Sequence, residues 1–118
     1  MATVYHGTSL KNVEKIAKRG LVPNKKKNHD ESGNFVYVDE SRITARAWGR
    51  QVGGCDIAVL EIEVPEAMLS RDGQTLSKTS YRAARIPLQF IKGWDIYKYD
   101  YLTGEYDYIR NESNPHYK

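Results

Sequence analysis

The residues with the clearest chemical potential are His6, Gly7 and Thr8, in the stretch TVYHGTS near the start of the chain. A glycine at the end of an extended segment leaves its backbone N–H and C=O open to a ligand, because no Cβ stands in the way. The neighbouring imidazole can donate or accept a hydrogen bond. The pair suits a ligand that carries both an amide and hydroxyl groups. A histidine that only stabilises the start of a helix is the simpler alternative.

A second group of candidates is Tyr37 and Ser41, in the stretch FVYVDES. A tyrosine ring can pack against a planar ligand ring and exclude water from it. Tyr37 could equally be a strand residue that faces the core. Ser41 precedes a helical pattern and is a suitable N-cap residue.

The elements that position these residues are short strands and two small helices. Residues 3–6 are typical of a strand, and a helix follows in which Leu10, Val13, Ile16 and Ala17 recur at helical spacing after Ser9, until Gly20 ends it. The segment NFVYVD predicts a second strand, and a helix is expected over 42–50. In CDIAVLEIEV, the alternation predicts a strand with one apolar face formed by Ala58, Leu60, Ile62 and Val64. The chain ends in strand-like runs joined by a turn at Thr103–Gly104.

Composition favours one globular domain over residues 1–118, with 40% hydrophobic and 28% charged residues. No apolar run approaches the roughly 20 residues of a membrane helix, and the N-terminus lacks the apolar core of a signal peptide. We therefore predict a cytoplasmic protein without a membrane partner, and a monomer. Cys55 is the single cysteine, so we expect neither an internal disulfide nor a metal site.

Charge is distributed unevenly, although the net charge is only +3. The segment Lys11–Lys27 carries seven cations and one acid, Glu14. A solvated helix face and loop is the simpler interpretation of this segment, and a surface that attracts DNA or RNA is the alternative.

The C-terminal tyrosines also have two interpretations. Alternation places Tyr97, Tyr99 and Tyr101 on one face, with Tyr106 and Tyr108 across the turn, where they could stack on bases. Interleaved acids would repel a phosphate backbone, so we favour ordinary cross-strand aromatic pairs.

The stretches YHGTSLKNVEKIAKRGLVP and GNFVYVDESRITARAW together resemble the ADP-ribosyltransferase superfamily of the His-Tyr-Glu type, which includes poly(ADP-ribose) polymerases and diphtheria-toxin-like enzymes. AVLEIEVPEAML and RIPLQFIKGWDIY resemble its middle and closing strands. The RNA 2'-phosphotransferases share the His-Gly-Thr strand. The resemblance implies an α+β fold of two packed, mainly antiparallel sheets, with small helices flanking a cleft for NAD.

The resemblance also implies roles for individual residues. The Gly7 backbone would hold the nicotinamide carboxamide, His6 would bond a ribose hydroxyl, and Tyr37 would stack on the nicotinamide ring. Thr8 and Ser41 would add hydrogen bonds to NAD as the co-substrate.

One part of the family pattern is absent. Enzymes of this family place a glutamate just before the Ile-Pro segment, where this chain reads LSKTSYRAARIP. Ser80 or Thr79 is the counterpart, and a neutral hydroxyl gives little electrostatic stabilisation to a developing oxocarbenium ion. Glu61 and Glu63 could supply an acid from another strand, although alternating acids usually mark a solvent face.

We therefore expect mono-ADP-ribosyl transfer from NAD to a macromolecule, with nucleic acid favoured over protein as the acceptor, in a toxin or a phage-encoded modifying enzyme. Two alternatives stay open. One is a weakened or inactive module that only binds NAD or ADP-ribose. The other is an RNA 2'-phosphotransferase-like enzyme that depends on Arg82 and Arg85.

Overall fold

Strands dominate the architecture of this computed structural model, which describes residues 1–23, 35–50, 55–71 and 79–118. The strands are β1 (Ala2–Ser9), β2 (Val36–Asp39), β3 (Ile57–Val64), β4 (Ser70–Arg71), β5 (Ser80–Ala83), β6 (Ile91–Tyr99) and β7 (Tyr106–Ser113). The α-helices are α1 (Val13–Arg19) and α2 (Arg42–Arg50). Single 3₁₀ turns lie at Leu10–Asn12, Glu66–Met68 and Leu88–Phe90.

The described strands form one antiparallel sheet in the order β4-β5-β2-β1-β3-β6-β7. The predicted α+β arrangement, an ADP-ribosyltransferase-like fold with two packed sheets around an NAD cleft, is therefore wrong. Tyr5 on β1 pairs with Asp39 on β2. This pair joins one group of strands, β4, β5 and β2, to the other group, β1, β3, β6 and β7. Backbone pairing connects the two groups of strands, so they are neighbours in one sheet and do not pack face to face.

Strand β1 is bound very differently on its two sides. It pairs with β3 along its whole length, from Ala2 opposite Val64 to Ser9 opposite Ile57. Among the described residues, its pairing with β2 is limited to Tyr5 opposite Asp39. We call the region formed by residues 5–7 of β1 and 37–39 of β2 the β1–β2 seam. Beyond Tyr5, side-chain contacts rather than a backbone ladder hold the two strands together.

Strand β3 is buried on both of its faces, which explains its central position in the sheet. The four apolar residues predicted to share a face are each 0% exposed, and they pack in one core with Val4, Val38 and Ile16. On the opposite face, Ile57 and Val59 pack with Ala45 of α2 and with two tyrosines of the β6–β7 hairpin. Burying apolar surface on both faces is the main stabilising term available to a sheet of this kind.

The two helices begin and end close to the predicted positions. Helix α2 spans the predicted residues, and the Ser41 Oγ accepts a hydrogen bond from the Thr44 N–H at 3.3 Å, which confirms Ser41 as the N-cap. Helix α1 ends at Gly20, whose φ of +77° is a conformation that favours glycine. Neither described helix has the length and apolar composition needed to cross a membrane.

Candidate functional site

His6 is held in the β1–β2 seam by the backbone of the neighbouring strand. Its Nδ1 lies 2.7 Å from the carbonyl oxygen of Tyr37, across 31 residues of sequence. A carbonyl oxygen can only accept a hydrogen bond, so Nδ1 carries the proton and donates it. In the neutral ring, Nε2 is then a hydrogen-bond acceptor. This tautomer suits a ligand that presents a hydroxyl donor to the imidazole.

The charge state of His6 follows from its surroundings. Burial lowers the pKa of His6 below the ordinary 6.5, and the hydrogen bond to the Tyr37 carbonyl opposes this effect but is the smaller of the two. The ring is therefore neutral at pH 7. A neutral ring that is already oriented by a backbone carbonyl can accept a hydrogen bond without first losing a proton.

Gly7 allows α2 to pack directly on β1. A Cβ placed on Gly7 would overlap the carbonyl oxygen of Ala45 in α2 and would lie 2.9 Å from the Gly49 N atom. A Cβ on Gly49 would lie 3.3 Å from the Thr8 N atom, so the helix and the strand cross at two glycines. The side-chain direction of Gly7 is thus filled by protein. Only its backbone groups are left for the predicted contact with a carboxamide.

Gly7 faces α2, and Tyr5, two residues before it, shares that face and pairs with Asp39. Tyr37, two residues from Asp39, therefore also lies on the α2 side of the sheet. Its side chain is half-buried. The ring and the His6 imidazole project from opposite faces of their strands, because the register at Tyr5–Asp39 places Tyr37 opposite Gly7. The structure therefore brings His6 and Tyr37 together through a backbone carbonyl. Stacking of the Tyr37 ring on a ligand stays a prediction.

The hydroxyls of Thr8 and Ser41 are both engaged within the protein. Thr8 is buried, and its Oγ1 accepts a hydrogen bond from Asn12 at 3.0 Å. Ser41 caps α2, and its backbone N–H donates to Asp39 Oδ1 at 2.7 Å. These contacts give both residues a local structural role, and their proposed contacts with NAD stay predictions.

Ser80, the candidate counterpart of the missing glutamate, is not accessible to solvent. Ser80 and Asp39 are each 0% exposed, and the Ser80 Oγ donates to Asp39 Oδ2 at 2.6 Å. The half-buried Thr79 contributes its backbone carbonyl, which accepts from the Glu40 N–H at 2.9 Å. Asp39 was not among the residues predicted for the site. The one available signal was an acid at the end of an apolar strand, directly before a helix cap.

The carboxylates on β3 are engaged in ion pairs on the same side as α2. Glu61 accepts from Arg42 at 2.8 Å, and Glu63 accepts from the Tyr117 hydroxyl at 2.6 Å. Arg42 also bonds the buried Asp95, and its guanidinium lies 4.8 Å from the centroid of the Tyr5 ring. The expectation that Glu61 and Glu63 mark a solvent face was wrong in part, since their side chains are 25% and 30% exposed. The contacts of Arg42 with Glu61 and Asp95 anchor the start of α2 to the sheet.

The predicted basic segment lies only partly within the described residues. Lys11, Lys15, Lys18 and Arg19 are exposed along the first 3₁₀ turn and α1. Lys25, Lys26 and Lys27 lie outside the described ranges. The C-terminal tyrosines divide into two sets, because Tyr97 and Tyr106 are buried beneath α2 whereas Tyr101 and Tyr108 are 78% and 56% exposed. Ring contacts connect the exposed tyrosines to the sheet, since Tyr108 lies edge-to-face against Tyr97 and Tyr101 lies edge-to-face against Tyr99.

The seam residues do not line either of two concave pockets that lie among the described residues. Both lie at the end of the sheet where β6 turns into β7, and they share Lys98, Tyr99 and Tyr101. Within the described ranges, no group of three or more His, Cys, Asp or Glu side chains is placed to hold a metal ion. The seam itself offers an oriented neutral imidazole beside a glycine backbone.

No protein-family model and no curated protein sequence matches the chain. The solved structure of EcPltA superimposes with a TM-score of 0.72 at 16% identity, covering 98% of this chain and 87% of EcPltA. A heat-labile enterotoxin double mutant superimposes with a TM-score of 0.66 at 15% identity, covering 98% of this chain and 63% of that one. The chain shares the fold of these two structures, and it spans less than two thirds of the enterotoxin chain.

Proposed function

We propose that the chain is a mono-ADP-ribosyltransferase that binds NAD at the β1–β2 seam and moves ADP-ribose to a macromolecular acceptor. The observation that carries the proposal is the His6–Tyr37 hydrogen bond of 2.7 Å, which fixes a neutral imidazole next to the Gly7 backbone. NAD presents an amide and several ribose hydroxyls, which are the partners that a glycine backbone and a neutral imidazole can accommodate. The fold shared with the enterotoxin supports the proposal at the level of architecture.

The chemistry required of the site is the exchange of one glycosidic bond for another. The bond between ribose C1' and the nicotinamide nitrogen breaks, and nicotinamide leaves with the bonding electrons. A nucleophile of the acceptor then bonds C1' and gives up its proton. The transition state has oxocarbenium character, so a nearby acceptor or negative charge lowers the barrier. In this proposal, His6 accepts a hydrogen bond from a ribose hydroxyl through Nε2.

Asp39 is the carboxylate of the seam in this proposal. It stands opposite Tyr5, the residue next to His6, and it is fixed by donors from Ser41 and Ser80. Because its side chain is fully buried, it would act on the ribose through its electric field rather than by contact. The proposed acid thus sits on β2, whereas the resemblance to His-Tyr-Glu enzymes implies one on β5, where Ser80 stands.

A second candidate function is binding of NAD or ADP-ribose without catalysis. It is favoured by one observation: the Ser80 side chain is committed to Asp39 and has no exposed surface. A site that binds the co-substrate but lacks a contacting acid would lose roughly a hundred- to a thousandfold in rate.

The two candidates differ in what happens to NAD. NAD labelled in its ADP-ribose part is incubated with the protein and with separate protein, DNA and RNA pools, and the released nicotinamide is measured. A transferase labels one pool and releases an equal amount of nicotinamide, with a loss of at least tenfold in His6→Ala. His116→Ala is the matched control, because His116 is an exposed residue near the C-terminus.

A binding module gives a different pattern. NAD then raises the melting temperature by mass action, but no nicotinamide appears. If NAD neither raises the melting temperature nor releases nicotinamide, both candidates are wrong.

A further inference from the structure

The turn that joins β6 to β7 presents apolar side chains to solvent. Among the described residues, six large hydrophobic side chains are exposed, and four of them lie on this hairpin: Tyr101, Leu102, Tyr108 and Ile109. Leu102 stands at the turn itself and is 96% exposed. Scattered apolar residues are normal on a protein surface, whereas a group of them on one hairpin indicates an interaction surface.

Hydrogen bonds within the turn hold Leu102 in this position. The Asp100 N–H donates to the Glu105 carbonyl oxygen, and the Gly104 N–H donates to the Asp100 carbonyl oxygen, each at 2.8 Å. The Asp100 Oδ1 also accepts from the Leu102 N–H at 2.9 Å. Gly104 has a φ of +74°, a conformation that favours glycine. A turn that is already ordered loses little conformational entropy when a partner covers it.

A concave pocket of about 420 Å³ lies beside the turn. Antiparallel pairing brings the end of β1, the start of β3 and the end of β6 together there. The apolar and aromatic part of its lining is formed by Leu10, Cys55, Tyr99 and Tyr101. Leu102 follows Tyr101 directly but does not line this pocket in its own chain. The projecting leucine and the pocket therefore belong to one surface without filling each other.

Charges of both signs lie on this surface. Residues 100–108 contain no Lys or Arg, although the net charge of the chain is +3, and they contain three acids: Asp100, Glu105 and Asp107. Asp107 stands opposite Lys98 in the β6–β7 ladder, whereas Glu105 is 68% exposed and lies 4.0 Å from Arg50. Lys11 lines the pocket and Lys15 lies in α1; both are exposed, and neither forms an ion pair with a described residue. The acids of the turn are therefore charges that a second copy can offer to these lysines.

We propose that two copies of the chain associate at this end of the sheet as a symmetric, weak dimer, in which Leu102 of each copy enters the pocket of the other. A surface that carries a projecting apolar turn, a pocket and charges of both signs is complementary to itself about a two-fold axis. The acids of each turn then approach Lys11 and Lys15 of the other copy. A turn and one pocket cover less area than a stable dimer buries, so association depends on concentration. The dimer replaces the monomer expected from the sequence, and it does not rest on the proposed function.

Sedimentation equilibrium of the full chain, at concentrations of roughly 10 µM to 1 mM, tests the association. The wild type should shift from monomer toward dimer as its concentration rises. Leu102→Ser should weaken association by about tenfold or more, because both copies lose the side chain that enters a pocket. Ile43→Ser removes another exposed aliphatic side chain, on α2, and should leave association unchanged. Thermal melts of both variants verify that they are folded.

Charge reversal tests the symmetric arrangement. Glu105→Lys and Lys11→Glu should each weaken self-association, because like charges then face each other in both contacts of the pair. An equal mixture of the two variants should associate more tightly than either variant alone, since each contact between unlike chains again joins opposite charges. Lys118→Glu reverses a charge at the opposite end of the sheet, where the Lys118 N–H bonds the Gln89 carbonyl, and its mixture with Glu105→Lys should show no such gain.

Three results would overturn the inference: a wild type that stays monomeric at the highest concentration, association that is indifferent to Leu102→Ser, or a mixture of Glu105→Lys and Lys11→Glu that associates no more tightly than either variant alone. NAD turnover by a chain that stays monomeric would count against the dimer alone. Association without NAD binding or turnover would count against the proposed function and leave the dimer intact.

Discussion

At the scale of single residues, the decisive contact is the one between His6 and the Tyr37 carbonyl. The sequence predicted that His6 and Tyr37 belong to one site, on the basis of a family resemblance. It could not predict how they meet, because a backbone carbonyl of β2 is available to His6 only where the β1–β2 ladder stops. The strand register, which no residue type encodes, creates this contact.

The lowered pKa of His6 has a consequence for stability. The unfolded chain binds a proton near pH 6.5, whereas the folded chain binds it only at lower pH, so acid favours unfolding. The contribution of His6 is complete above pH 6.5 and is lost as the pH falls below it, with a slope of at most about 1.4 kcal/mol per pH unit. Urea unfolding between pH 5 and 7.5 measures it.

The control for this prediction replaces the imidazole by an amide. His6→Gln can still donate to the Tyr37 carbonyl but does not titrate, so its stability should depend less on pH than that of the wild type. His116→Gln should match the wild type. Parallel curves for His6→Gln and the wild type would mean that His6 titrates normally in the folded chain.

The buried Asp39–Ser80 pair gives a second prediction at this scale. Ser80→Ala removes the donor at 2.6 Å and leaves a fully buried carboxylate oxygen unsatisfied, which should destabilise the fold by about 1–3 kcal/mol. Ser70→Ala, on the exposed strand β4, should change the free energy of unfolding by less than about 0.5 kcal/mol. Equal midpoints in urea for the two variants would rule out a structural role for the pair.

At the scale of elements, the crossing of α2 over β1 sets the geometry of the seam. The sequence predicted both elements, since Ser41 and the helical pattern after it are local signals. The packing of α2 on Gly7 was not predicted, because the partner atoms come from α2, which is distant in sequence. A glycine next to a histidine can indicate ligand access or close packing. Only the tertiary structure distinguishes the two.

The two glycines of the crossing should differ in their sensitivity to substitution. Gly7→Ala forces the helix away from the strand, because its Cβ overlaps the Ala45 carbonyl oxygen, and should cost about 3 kcal/mol or more. Gly49→Ala introduces a contact of 3.3 Å and gains helix propensity, so it should cost less than about 1.5 kcal/mol. Urea unfolding of both variants checks the order. A more stable Gly7→Ala than Gly49→Ala would contradict the packing described here.

At the scale of the whole molecule, the alternation of apolar residues predicted most of the strands and the core of β3. It did not predict that the strands form one sheet, because the pair Tyr5–Asp39 joins two segments whose patterns are equally compatible with separate sheets. The sequence likewise did not show which of the C-terminal tyrosines are exposed. Alternation places all of them on strand faces, and only the position of α2 decides which faces are covered.

The central claim is that NAD binds at the β1–β2 seam, and amide hydrogen exchange with and without NAD tests it most directly. Peptides that cover β1 and β2 should exchange more slowly when NAD is present, because a ligand that binds the folded state suppresses local opening. Peptides from the β6–β7 hairpin should be unchanged, and His6→Ala should abolish the protection at the seam. Exchange that NAD leaves unaltered throughout the chain, or slows only at the hairpin, would contradict the account.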